Sequence, residues 1–195
     1  MVWPLIWLGG AAIGVLALAD EKARRDRLAL DRRLGRVEPQ AATAAEGAAL
    51  TPSILFNSNT RVTPEVGSIV CCHVYGVIEH TGIWLGDNSI AELHGSGLVR
   101  AVSAKRFLAG RSGDCIYLAC SHDHRALACQ QAAVRASESM FTYRDYQLLD
   151  NNCHRFVWYC LTGDESRISS FDGLSIKLAA LFSQAIYWDL MKSSE

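Results

Sequence analysis

The sequence predicts an α+β fold on three observations. Branched and aromatic residues on either side of Gly86-Asp87-Asn88 mark a β-hairpin across Val77–His94. Gly67–Val74 and Cys115–Ala119 carry the short apolar runs of buried strands. Two later stretches, the Ala-rich Ala126–Ser137 and the apolar run from Cys153 to Leu161, have helical spacing.

From the N-terminus, Val2 to Ala19 carries no charge and contains Trp3 and Trp7. About 18 apolar residues reach the lower end of what spans a bilayer, so 1–19 is expected to be a transmembrane anchor. Lys22, Arg24, Arg25, Arg27, Arg32, Arg33 and Arg36 follow at once. The positive-inside rule then holds the rest of the chain in the cytoplasm. The alternative is a secretory signal cut after Ala17-Leu18-Ala19, which would leave the domain in the periplasm. Two features favour the anchor: no Lys or Arg precedes the apolar run, and the basic cluster lies behind it. Seven cysteines with no regular framework also suit a reducing compartment.

Ala19, Ala23, Leu30, Leu34 and Val37 recur at roughly helical spacing among charges, predicting a juxtamembrane helix over 20–37. Residues 38–62, Ala-rich with Pro39 and Gly47, read as a linker. The globular domain is expected over 63–163. In its first strand Cys71 and Cys72 point to opposite faces, which suits packing and neither a pair nor a shared ligand role. Gly95-Ser96-Gly97 breaks the exit of the hairpin, and Ser103 can cap a short helix through Phe107 and Leu108. Residues 164–195 repeat Leu174, Leu178, Leu181, Phe182 and Ala185 with Lys177, Gln184 and Asp189 opposite. That pattern predicts an amphipathic C-terminal helix, too polar to span a bilayer, that covers the domain or lies on a membrane surface.

The chemistry centres on Cys153. Asp150 or Asn151 can cap the helix that Gly163 stops, so the thiol sits in the first turn. Free N–H groups and the helix dipole there favour an anion and lower a thiol pKa from about 8.5. A buried cysteine on a helix is otherwise simply a small apolar residue, and a candidate base tips the reading. That base is His80. If the hairpin turn takes three residues, His80, Gly82 and Trp84 share a face with Ile90, Glu92 and His94. A thiolate, an imidazole and a carboxylate to hold the imidazole tautomer follow the Cys-His-acid logic of acyl transfer. Glu92 is the expected orienter, with His94 the alternative.

His80-Thr-Gly-Ile-Trp-Leu-Gly-Asp and Tyr146-Gln-Leu-Leu-Asp-Asn-Asn-Cys153-His-Arg-Phe-Val resemble the lecithin:retinol acyltransferase-like branch of the NlpC/P60 superfamily. The resemblance covers roughly residues 63 to 163 and implies a circularly permuted papain-like domain. It makes Cys153 the nucleophile, His80 the general base and Glu92 the third polar residue, where animal acyltransferases have histidine. It departs after the cysteine, where Asn-Cys-Glu-His-Phe becomes Asn152-Cys153-His154-Arg155-Phe156. Tyr146 matches a family tyrosine by spacing, with core packing as its other role. Asn152 is expected to shape the turn, the Cys153 N–H to donate to an oxyanion, and His154 to lie near the mouth of the site without an assigned role.

Cys115, Cys120, His122, His124 and Cys129 lie close in sequence, but the cysteines bracket a presumed strand end instead of forming a Cys-x2–4-Cys pair. No metal or cofactor is expected. A net charge of −1 gives no polyanion-binding signal, so nucleic acid is not an expected partner. Three functions compete: a membrane-anchored thiol acyl hydrolase or acyltransferase with membrane lipid as substrate, a cysteine peptidase or amidase on peptide or cell-wall fragments, and a non-catalytic module on the same fold.

Overall fold

Alternating apolar residues from Ile69 to Ser103 build four consecutive antiparallel strands, β2 (Ile69–Val74), β3 (Ile78–Gly86), β4 (Ser89–Leu93) and β5 (Val99–Ser103). In the computed structural model, residues 60–74, 78–147 and 152–192 are described, together with Arg24, Arg27, Asp31 and Arg36. Over these residues the fold is α+β, with a mixed sheet of seven strands and four helices. The remaining strands are β1 (Arg61–Val62), β6 (Tyr117–Cys120) and β7 (Tyr187–Met191), and the sheet order is β1-β7-β6-β2-β3-β4-β5. Only the β1–β7 pair is parallel. The helices are α1 (Ala104–Leu108), α2 (Gln130–Glu138), α3 (Cys153–Thr162) and α4 (Phe171–Phe182).

The two-residue period of the strands divides the core. Ile69, Cys71, Ile83, Ala91 and Leu93 face α2, α3 and α4, meeting Ala132, Ala136, Phe156, Val157, Leu174 and Leu178. Val70, Cys72, Trp84, Ile90 and Val102 form the opposite face, closed by Phe107 of α1. Cys71 and Cys72 thus enter different cores, as packing residues on alternate faces must. Each fully buried leucine of α4 contributes about 2 kcal/mol of hydrophobic stabilisation.

Several boundaries differ from the expectation. The hairpin turn takes two residues: Asp87 and Asn88 both have positive φ, at 45° and 57°, as a tight hairpin turn requires. A register shift between Trp84 and Gly86 supplies the extra residue, so Trp84 still opposes Ile90 and the expected face is preserved. Gly95–Gly97 is a turn into β5, not the end of the sheet. Helix α2 starts at Gln130, because Ala126 and Ala128 are bridged to Cys120 and Ser68. The sheet begins at Arg61, inside the expected linker. The C-terminal segment is not one helix. After α4 comes β7, which pairs with β6 and β1 and buries Tyr187, Trp188 and Asp189. The C-terminus therefore completes the sheet.

The transmembrane anchor expected over 1–19 lies outside the described residues. Of the juxtamembrane segment, Arg24, Arg27 and Asp31 are helical, and the Arg36 N–H donates to the Asp31 carbonyl at 2.8 Å. Among the described residues no helix is long and apolar enough to cross a membrane.

Candidate active site

Asn152 fixes the position of Cys153. Its extended backbone (φ −116°, ψ −177°) makes it the N-cap of α3, and its Oδ1 accepts from the N–H groups of His154 and Arg155 at 3.0 and 3.1 Å. Its amide Nδ2 donates to the Ile168 carbonyl at 2.9 Å, tying the cap to the segment before α4. The cap is thus Asn152, one or two residues later than expected, and Cys153 occupies the first helical position. Gly163 ends the helix with φ 77°, a left-handed conformation that favours glycine. Phe156, Val157 and Cys160 pack beneath, so the helix is anchored by its apolar face on β3.

Strand β3 brings His80. Its pairs with β4 run from Gly86↔Ser89 to Ile83↔Ala91, while its pairs with β2 continue to Ile78. The His80 end of β3 therefore borders the cleft at the N-terminus of α3. His80 Nε2–H donates to Glu92 Oε2 at 2.8 Å; an ionised carboxylate only accepts, which fixes the tautomer. The second ring nitrogen, Nδ1, is left free of Glu92, and Cys153 lines the same cleft as His80.

Gly82 makes the His80–Glu92 contact possible. A Cβ there would stand 2.6 Å from the Ala91 carbonyl oxygen, 2.8 Å from Ile90 Cγ2 and 3.3 Å from Phe107 Cε2. The close approach of β4 and Phe107 depends on its absence. Gly82→Val is expected to cost about 3 kcal/mol through overpacking, measured by denaturant unfolding, and to lower activity by displacing Glu92 from His80.

Glu92 is fully buried and carries three cationic partners. Beside His80, it accepts from Arg100 Nε and Arg111 Nη2, each at 2.8 Å. Burial pushes its carboxyl up, but the hydrogen bonds and fields of His80 and Arg111 outweigh that and hold it at about 2. It remains an anion throughout the physiological range. Neither arginine carried a sequence signal, since pairing across 8 and 19 residues depends on the tertiary fold.

A similar balance acts on the Cys153 thiol. Burial alone would raise the Cys153 thiol, yet the fields of His154 and His80, with a hydrogen bond to each, bring it well below an ordinary thiol. His80 moves the other way. Burial would lower it, but the Cys153 field and the hydrogen bonds to Cys153 and Glu92 raise it above an ordinary histidine, against opposition from Arg111. These opposed shifts favour a thiolate–imidazolium pair. By contrast, burial raises Cys71 well above an ordinary thiol and pushes Cys72 and Cys160 up to about 12.

Activity is accordingly expected to follow a bell-shaped pH profile. The acid limb, where the thiolate is protonated, should lie below the usual thiol range. The alkaline limb, where the imidazolium is lost, should lie above the usual histidine value. Both apparent values belong to the pair, and a kcat/KM–pH series measures them.

The cleft around these groups has a volume of about 910 Å³ and is lined by Ile78, His94, Arg106, Tyr146, His154 and Phe171 as well as Cys153 and His80. His94 does not replace Glu92: the Ser96 N–H donates to its Nδ1 at 3.2 Å, and its hydroxyl lies 2.9 Å from the same nitrogen. Burial and the field of Arg100 lower the His94 pKa. Tyr146 is half-buried, packed against the core and on the cleft wall at once, with burial pushing its phenol to about 12. His154, given no role from sequence, is buried with Nδ1 3.9 Å from the Cys153 Sγ. Only its place beside the cysteine hinted at this.

Cys115, Cys120, His122, His124 and Cys129 do not form a ligand set. Among the described residues no three His, Cys, Asp or Glu side chains converge as metal ligands, and His124 Nδ1 is 3.1 Å from the buried Asp189 carboxylate. No family model matches the chain, and no curated protein matches it. The geometry of the cleft therefore carries the functional conclusion.

Proposed function

We propose that this protein is a membrane-anchored, cysteine-dependent acyl hydrolase or acyltransferase that takes acyl groups from lipid esters through a thioester on Cys153. The observation that carries the reading is that Cys153, at the start of α3, and His80 line one cleft, with His80 Nε2 held at 2.8 Å by the fully buried Glu92 carboxylate. The resemblance of the His80 and Cys153 segments to lecithin:retinol acyltransferase-like proteins supports a lipid substrate and a permuted papain-like arrangement of sheet and helix. The apolar run over 1–19 supports an anchor that keeps the cleft close to lipid.

In this mechanism the thiol proton passes to His80 Nδ1 and the thiolate attacks the ester carbonyl carbon. Charge develops on the carbonyl oxygen near the first turn of α3, where the Cys153 N–H is one of the helix's free donors. Collapse forms the S–C bond and breaks the C–O bond, and His80 returns its proton to the departing alkoxide. Water or an amine then attacks the thioester with His80 as base. Glu92 keeps His80 in the productive tautomer.

The test is incubation of the full chain in phospholipid vesicles, with a cell-wall peptide in parallel, and mass-spectrometric analysis of products. Lysophospholipid and fatty acid, absent with Cys153→Ala, are expected. Cleavage of the peptide alone would replace this reading with an amidase or peptidase. Turnover of neither would favour a non-catalytic module.

A further inference from the structure

Two imidazoles share the cleft with the nucleophile, and the mechanism above uses only one. His154 is 6 % exposed. Its Nδ1 lies 3.9 Å from the Cys153 Sγ and 3.1 Å from Thr81 Oγ1, and its ring meets Phe171 at 5.9 Å. Its main chain is held as firmly, since its N–H donates to the Asn152 cap. A buried imidazole is costly unless its polar atoms are partnered, and here the partners are a hydroxyl from the His80 strand and the reacting sulfur. His80 and Thr81, as neighbours on β3, point to opposite faces. One strand therefore supplies the base from one face and a hydroxyl that positions His154 from the other.

We propose that His154 is a second catalytic histidine: its Nδ1–H, shared between Thr81 Oγ1 and Sγ, stabilises the Cys153 thiolate, while His80 alone carries the proton. The inference rests on Cys153 being the nucleophile of the acyl transfer proposed above. During acylation the proton moves from Sγ to His80 and on to the leaving oxygen, the S–C bond forms and the C–O bond breaks, and His154 keeps its proton throughout. Once the sulfur is a neutral thioester, the shared hydrogen bond falls to Thr81. When the thiolate leaves again in the second half-reaction, the donor is already in place.

The titratable groups that face Cys153 are His154 on its own helix, His80 on β3 with Glu92 of β4 behind it, Cys71 and Cys72 on β2, and Tyr146. Arg111 lines the same cleft. From α2, Arg135 reaches the carbonyls of Cys160 and Leu161 at the far end of α3. His154 is the one whose removal takes a donor from Sγ without touching the His80–Glu92 pair.

The test is alkylation of Cys153 by iodoacetamide against pH in the full-length protein, read on the Cys153 peptide by mass spectrometry. His154→Phe should raise the inflection by about one to two pH units, the effect of one hydrogen bond to an anion. His154→Asn, whose amide nitrogen can take the place of Nδ1, should restore part of that shift. His80→Gln should lose acyl transfer yet keep part of the lowered inflection. A His154→Phe profile that superimposes on the unmodified protein would overturn the proposal. If His154→Phe does not fold, ¹⁵N-histidine spectra of the unmodified protein decide: a proton on His154 Nδ1 supports the proposal, and a lone pair there contradicts it. A lowered, His154-dependent inflection without an acyl adduct on any substrate would defeat acyl transfer as the function while leaving the thiolate–His154 contact intact.

Discussion

Cys153→Ala is expected to abolish acyl-enzyme formation and to reduce kcat by about 10⁶-fold, with His80→Ala close behind. Nucleophile and base act as a unit, so losing either removes nearly the whole effect. Cys153→Ser should fare little better, because the thiolate–imidazolium pair exploits a thiol already close to ionisation and a hydroxyl is far from it. The loss should not come from unfolding. Cys153 begins its helix, and Phe156, Val157 and Cys160 hold that helix in the core. Cys160→Ala is the matched control, since burial keeps its thiol at about 12 and outside the chemistry. Activity assays with circular dichroism on each variant check both halves. Substantial activity in Cys153→Ala would refute the assignment.

Glu92→Ala is expected to lower stability by about 3–5 kcal/mol, the cost of removing one partner from a buried ion pair. The carboxylate is fully buried, and its loss leaves the Arg100 and Arg111 guanidinium groups beside an uncompensated gap. The pH dependence gives a second measure. Folding lowers the Glu92 pKa from 4.5 to about 2, so its contribution is fully present above the ordinary carboxylate value and lost as pH falls toward 2. That lowering corresponds to roughly 3 kcal/mol. Denaturant unfolding of parent and Glu92→Ala should therefore differ most near neutrality, with the gap narrowing as pH falls from about 4.5 toward 2. Activity should fall less than in His80→Ala, because His80 still lines the cleft with Cys153 and loses only the group that fixes its tautomer. An unchanged unfolding midpoint would contradict the buried cluster.

The site was legible where local chemistry determines it. The capping pattern before Cys153 and the face shared by His80 and Glu92 could be read directly, although the cap moved to Asn152 and the turn closed with two residues and a bulge. Adjacent asparagines offer equivalent caps, and a one-residue change in the turn was offset by the register shift, so the facing pairs survived. Strand β7 was missed because the leucine period of α4 extends naturally toward Ala185. What makes Tyr187–Met191 a strand is its pairing with β6 and β1, which has no local signature. Strand β5 was missed because Gly95–Gly97 reads equally as a break or a turn. Arg100, Arg111 and the Thr81–His154 contact join residues 8, 19 and 73 positions from their partners. Such contacts exist only after the sheet and α3 have assembled.

Cys153 is the residue expected to carry the acyl group. Intact-protein mass spectrometry of the full chain after brief exposure to phospholipid micelles, with peptide mapping of the adduct, tests it most directly. The expected result is a mass gain of one fatty acyl chain on the Cys153 peptide, reversed by hydroxylamine and missing in Cys153→Ala. An adduct on another residue, or lipid turnover that persists in Cys153→Ala, would contradict it.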